Sequence, residues 1–394
     1  MSKVNVIHTA DWHLREAHLG LISRGPDFLR AALSTVDIAA DVRDATGNPT
    51  IMVVAGDQLQ STRLSAENAG QLRAVDAHMI EKGITALSTI GNHDLARTGH
   101  SWVDVMCGKG GAGEWVHDFN TPGLKDVTGK HFDWHGLRFH GLPPVASSAL
   151  PETLAALQVN PGLSNIGIWH GALRDFIGFP VENMLAIADL DLSKLTAFLL
   201  GDIHVSQYYS AATGCVVGYP GATELCSARE PLEHSCTHFE FTNGVISAVV
   251  TKPVKHRKAM AFRVINDDQA AEVISKIKAA EHECPIVLLR YASNMEKVCG
   301  MIRANVDTSK VILRDAALDD DISTQAMSLM AVTSAAQRLS SSTETPEQVL
   351  MSLLVGDDDY KNLGASLCNP NADHALEIKR YIASQLAKPE SIKL

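Results

Sequence analysis

Three apolar runs near the start, KVNVIH (3–8), TIMVVAG (50–56) and ITALSTIG (84–91), are separated by two stretches of helical spacing. This alternation constrains the fold more than any other feature of the chain. In residues 27–45 Phe28, Leu29, Val36 and Val42 recur near a helical period, and residues 65–82 form a second such stretch. Strand and helix in turn place successive strands parallel, in a sheet covered on both sides, where strands read as unbroken apolar runs. LRFHGLP, NIGIWHG, AFLLGD and CVVGYPG continue the series, and THFEFTNGVISAVVTKPV then alternates about Asn243-Gly244. That alternation predicts a hairpin with a type I′ turn closing an α/β domain over 1–254.

A basic connector, KPVKHRK, leads to AMAFRVI, PIVLLRY and KVILRDA, strand candidates separated by helix candidates at 267–282 and 293–305. They predict a small α+β unit over 259–320. LSSSTETPEQ reads as part of a linker, 321–344, running into a helix start with Thr345 as cap, Pro346 at the first position and Gln348 as its partner. Val349, Leu350, Leu353 and Leu354, and later Ile378, Ile382 and Leu386, put apolar stripes on helices over 345–394. Stripes placed after the strands are used up point to partner binding as readily as to core.

A chain of 394 residues exceeds one ordinary core, so two domains and a tail are expected. No apolar run reaches the ~18 residues of a membrane helix, and the N-terminus enters a strand pattern without a signal-peptide block, so a soluble, cytoplasmic protein is expected. Seven cysteines lie far apart with no C-x-x-C pair, which reads as scattered reduced core thiols. The formal charge of −11 speaks against nucleic-acid binding that depends mainly on a large basic surface. It leaves open a phosphate-handling enzyme whose acidic site recruits divalent cations.

Ligands of α/β sheets gather past the carboxyl ends of strands, and there this sequence places polar residues repeatedly. The first run is followed by D-W-H (Asp11, His13), the second by G-D (Asp57) and the third by G-N-H-D (Asn92, His93, Asp94). NIGIWHG carries His170, and AFLLGD runs into Asp202 and His204. One such residue is ordinarily a turn or cap; five successive strand ends with one are a pattern. Carboxylates, imidazoles and an amide oxygen suit manganese, iron or zinc, and Asp57 at the centre is placed to bridge two ions.

D-x-H, G-D, G-N-H-D, a histidine and G-x-H, in this order, resemble the calcineurin-like metallophosphoesterase superfamily over about residues 4–220. VIHTADWHL and GYPGATELCSARE further resemble the SbcD nuclease family, counterparts of the meiotic recombination nuclease. The resemblance implies helices flanking two packed sheets, a small capping domain and C-terminal helices that dock on an SMC-like ATPase of the SbcC family. It also implies a homodimer and DNA, duplex ends and single strands, as substrate. In this pattern Asp11, His13, Asp57 and His204 hold one metal, and Asp57, Asn92, His170 and Asp202 the other, with manganese as the expected ion and magnesium as a substitute. His93 is the implied catalytic histidine and Asp94 the group orienting its imidazole.

Two positions depart from the pattern. Asp202 stands where histidine is usual, which favours harder ions, and Gln60 stands where an acid or histidine is common. The implied activity is a 3′-to-5′ exonuclease on duplex ends and an endonuclease on single strands in break processing, recombination or replication. The G-D-I-H variant also fits a virus-encoded enzyme. A phosphoesterase for a small-molecule or protein ester, and a non-catalytic assembly subunit, are the alternatives. Isolated features have plainer readings: His8 as a strand-core residue, Trp12, Trp102, Trp115 and Trp134 as packing, and Lys252, Lys255, Arg257 and Lys258 as a solvated connector.

Overall fold

The computed structural model describes residues 2–317, apart from 19–20, 96–100, 112–113, 117, 120, 178–183, 229, 267 and 292–294. The linker and the C-terminal stripes expected at 321–344 and 345–394 lie outside the described residues, as does Cys368.

The chain begins β1 (Lys3–Thr9), α1 (Gly25–Thr46), β2 (Thr50–Ala55), α2 (Ala66–Lys82) and β3 (Thr85–Thr89), the predicted alternation. The helices end where the left-handed backbone of Gly47 and Gly83 turns the chain back, and Ser65 caps α2 by accepting the Asn68 amide. A short helix α3 (Trp102–Cys107) and a ribbon of β4 (Lys109–Gly111) and β5 (Glu114–Val116) follow. Then come β6 (Gly123–Asp126), β7 (His131–Trp134), β8 (Leu137–Gly141), α4 (Leu150–Ala155) and β9 (Ser164–His170). β10 (Ala197–Gly201), β11 (Gln207–Ser210), β12 (Val216–Tyr219), β13 (Ser235–Thr242) and β14 (Val245–Pro253) complete this part.

The strands divide into two sheets, in the orders β14-β13-β1-β2-β3-β6 and β11-β12-β10-β9-β8-β7. In the first sheet β1, β2, β3 and β6 run parallel, with the antiparallel pairs β1–β13 and β13–β14 on one side, and in the second β8, β9, β10 and β12 run parallel between antiparallel β7 and β11. Val4, Val6, Ile51, Val53 and Leu87 of the first sheet meet Phe139, Ile166, Ile168 and Leu199 of the second in a dry layer between them. On the outer face of the first sheet Ile7, Met52 and Val54 pack on Ala32, Val36 and Ala39 of α1 and Leu72 and Val75 of α2. Trp169, Phe198, Leu200 and Tyr219 do the same for the second sheet against Leu150, Leu173 and Leu192. Inner strands such as β2 are buried at every residue, which is why they read as unbroken apolar runs. The hairpin turns at Asn243 and Gly244, both at positive φ, and β14, a sheet edge, is the strand that alternates towards solvent.

His8 lies in this interior with Nδ1 2.8 Å from the Tyr208 hydroxyl of the opposite sheet. Trp12 is fully buried with Nε1 bonded to Thr9 Oγ1, so packing occupies it.

Beyond the hairpin, β15 (Ala259–Val264), α5 (Gln269–Ala280), β16 (Ile286–Tyr291), α6 (Glu296–Ala304) and β17 (Ile312–Ala317) make a three-stranded parallel sheet with two helices. Ile286 and Leu288 of this sheet pack on Leu225, and Arg290 reaches the Ala228 carbonyl at 3.0 Å. Arg257 corrects the expectation of a wholly solvated connector. Its guanidinium pairs with buried Asp27 of α1, which also holds fully buried Arg24, and Arg24 holds Glu224.

Candidate metal centre

Each expected site residue sits just past a strand end, and the two sheets bring all of these ends to one place. Asp11 and His13 follow β1, Asp57 follows β2, Asn92, His93 and Asp94 follow β3, His170 closes β9, and Asp202 and His204 follow β10. Asp11, His13, Asp57 and Asp202 have φ of 52°, 46°, 52° and 102°, the sparsely populated region that Asp and His enter more readily than most residues. These turns send the chain sharply off each strand and aim the side chains into the cluster. Two glycines admit the close approach. A Cβ on Gly56 would strike the His170 ring, and one on Gly91 would strike the Asp57 carboxylate.

Asp57 is the hub. Its Oδ2 lies 3.4 Å from His170 Nε2, 3.7 Å from His13 Nε2 and 3.8 Å from His93 Nε2. His13 Nε2 is 3.1 Å from His204 Nε2, although 191 residues separate them. His170 Nε2 stands 3.7 Å from Asp202 Oδ1. The Asp202 amide donates to both oxygens of Asp11 at 3.2 Å. Asp11, His13, Asp57 and His170 form a buried floor, whereas Asn92, His93, Asp202 and His204 form a rim open to solvent.

The donor set fits a cation. His170 Nδ1 donates to the Ala55 carbonyl at 2.8 Å, which turns Nε2 towards the cluster. The Asn92 side-chain amide lies 3.0 Å from that nitrogen and 3.3 and 3.2 Å from the two Asp57 oxygens, and turned over it donates its N–H to them. Ionisation tells the same story. Burial raises the Asp11 carboxyl to about 6. Burial opposes charge on His170, yet Asp57, Asp11 and Asp202 push it up to about 10. Burial likewise opposes charge on His204, which Cys226, Glu230 and Asp11 hold up at about 11. The histidines take protons because the carboxylates demand positive charge. Asp11, Asp57 and His170 offer ligand atoms within 4.8 Å of one another, as do His13, Asp57 and His93.

One expected contact is absent. Asp94 does not orient His93: its Oδ1 accepts the Leu59 amide and its Oδ2 the Gly91 amide, both at 2.9 Å, so both oxygens are spent on closing the loop. The Gln60 carbonyl, 2.7 Å from His93 Nδ1, holds the ring instead. A backbone carbonyl serves whatever side chain position 60 carries, so the departure at Gln60 leaves this contact intact. Two residues assigned no role from sequence also belong here. Glu230 binds His204 Nδ1 at 2.7 Å, and Cys226 stands beside His13 and His204. Of the cysteines read as scattered core thiols, Cys215, Cys236 and Cys299 are buried, Cys107 and Cys226 are partly buried, and Cys284 corrects that reading by lying exposed. The six cysteines among the described residues are all free thiols.

No protein-family profile matches the sequence. The chain is 26% identical over 301 residues to the DNA double-strand break repair protein Mre11 of Haloferax volcanii, across 74% of this chain and 62% of that protein. It is 28% identical over 258 residues to the uncharacterized metallophosphoesterase YhaO of Bacillus subtilis, across 63% of this chain and 60% of that one. The chain thus spans about three-fifths of the length of these relatives. Among solved structures, a dimetal phosphatase from Danio rerio superposes with a TM-score of 0.41 at 11% identity, over 64% of this chain and 96% of that one. No helix among the described residues is long and apolar enough to cross a membrane. Likeness to a metallophosphoesterase and to a DNA repair protein, joined to strand-end donors converging on Asp57, supports the calcineurin-like metallophosphoesterase superfamily for this chain.

Proposed function

We propose that the chain is a metal-dependent DNA nuclease with two cations, preferring manganese, that acts on duplex ends and single strands beside an SMC-like ATPase. The observation that carries the reading is the convergence of three imidazoles on Asp57 Oδ2, with His170 Nε2 at 3.4 Å, His13 Nε2 at 3.7 Å and His93 Nε2 at 3.8 Å. The DNA substrate, the ATPase and a homodimer rest on the likeness to a DNA double-strand break repair protein and on the family resemblance of the motifs.

Asp11, His13, Asp57 and His204 would hold one ion, and Asp57, Asn92, His170 and Asp202 the other. Bound there, divalent cations lower the pKa of a water and neutralise phosphate charge. Asp57 ties the two ligand sets together, and its buried position keeps it fixed. Ala55 and Gln60 carbonyls set the His170 and His93 rings so that each presents Nε2 inward. His93, on the open rim, gives a proton to the departing sugar oxygen or stabilises its charge. Asp202 on the rim adds a hard oxygen donor, which underlies the preference for manganese over zinc at that end. The small unit from 259 to 320 acts as the cap, and residues 345–394 dock on the ATPase.

The test offers labelled duplex and single-stranded DNA with manganese, with and without the cognate ATPase. Manganese-dependent cleavage of both, with the ATPase stimulating attack on duplex ends, is expected. DNA left intact while a small phosphate ester is hydrolysed would overturn the nuclease reading in favour of a small-molecule phosphoesterase.

A further inference from the structure

The two ends of the site carry different chemistry. Around Asp57, Asn92 and Asp202 most donors are oxygens, whereas at the other end two imidazoles meet a thiol. His13, His204 and Cys226 offer ligand atoms within 4.8 Å of one another. His13 Nε2 and His204 Nε2 are 3.1 Å apart, and since Glu230 takes His204 Nδ1, it is His204 Nε2 that faces His13. Donors about one zinc, at bonds of about 2.0 Å to nitrogen and 2.3 Å to sulfur, stand roughly 3.5 Å apart.

The surroundings hold the thiol there. The Cys226 amide donates to Glu230 Oε2 at 2.7 Å, so one carboxylate fixes both Cys226 and His204. Arg15, buried, lies with Nη2 3.6 Å from Sγ and with Nε on the His13 carbonyl at 2.9 Å. Burial holds the proton on the Cys226 thiol, which His204 and Arg15 oppose. Added to Asp11 and Asp57, two imidazoles and a thiolate shift this end of the site towards a thiophilic ion.

We propose that Cys226 is a donor at the His13–His204 end of the site, which therefore takes a thiophilic divalent cation such as zinc, while the Asn92–Asp202 end takes a harder one. On binding, Cys226 loses its proton to solvent and its sulfur bonds the ion. The inference rests on the two-cation reading of the site.

The full chain, stripped by chelator, is titrated with cobalt(II) under argon without added thiol. Visible ligand-field bands are expected, together with a near-ultraviolet thiolate-to-cobalt charge-transfer band. Cys226→Ser should lose the charge-transfer band and keep the visible bands. Cys284→Ser, at an exposed cysteine elsewhere, should keep both. Visible bands in the unaltered chain without charge transfer, or charge transfer that survives in Cys226→Ser, would overturn the proposal and leave the two-cation reading standing. Failure of the unaltered chain to take up any cobalt would overturn both.

Discussion

Glu230 Oε1 accepts the Nδ1 proton of His204 across 2.7 Å, and its other oxygen accepts the Cys226 amide. The carboxylate fixes the His204 tautomer with Nε2 free for a cation. Glu230→Gln places an amide group where one of these donors needs an acceptor. Cation affinity is expected to fall about 10- to 100-fold, as such partners of ligating histidines typically contribute. Competition with a metal-responsive dye measures it, and an unchanged affinity would sink the assignment.

His93 and Asp57 separate chemistry from binding. His93→Ala should slow hydrolysis about 100- to 10,000-fold while both cations remain. Asp57→Ala should lose both cations, because its carboxylate faces three imidazoles. Elemental analysis of the two variants decides; His93→Ala stripped of metal would make His93 a ligand.

Asp94 closes the loop that carries Asn92 and His93. Asp94→Asn sets an amide N–H against a backbone N–H at Leu59 or Gly91, and such an unmet buried donor costs about 1–3 kcal/mol. Urea unfolding in chelator should show that loss. Full stability with lowered activity would return Asp94 to a direct role at His93.

Asp27 holds fully buried Arg24 as well as Arg257. Asp27→Asn leaves a buried guanidinium short of a counter-charge, for which about 3–5 kcal/mol of destabilisation is expected. Arg257→Ala should cost less, because that side chain is partly exposed. Equal losses in the two variants, read from urea midpoints, would contradict the ranking.

His8, buried between the sheets, is held by burial far below its ordinary 6.5, at about 3. The unfolded chain therefore binds the proton first. His8 contributes its full stability above pH 6.5 and loses it progressively as pH falls towards 3, by up to about 1.4 kcal/mol per pH unit. His8→Gln should flatten the fall in urea midpoint between pH 6.5 and 5 by about that slope. An unchanged slope would show that His8 does not couple folding to protons.

The apolar strands, the long helices between them and the candidate donor residues are legible in the order of amino acids along the chain, whereas the short strands β4 to β7 and β11 are not. Apolar runs such as TIMVVAG are local, and each ligand adjoins a run, so Asp11, Asp57 and His170 read as strand-end residues from the sequence alone. What each of them touches depends on how distant segments pack. His13 meets His204 because two sheets stack, and that packing joins residues 191 positions apart. Glu230 and Cys226 lie in a loop with no periodicity, and they join the site through the fold around Leu225. The partner of His93 is the Gln60 carbonyl, a group every residue carries, so no side-chain pattern reveals it. Asp94 misleads for the converse reason: adjacency in G-N-H-D suggests a contact with His93, whereas the tight turn points its carboxylate back at the amides of Gly91 and Leu59. Hydrogen-bond direction is set by backbone geometry, which residue identity constrains only weakly.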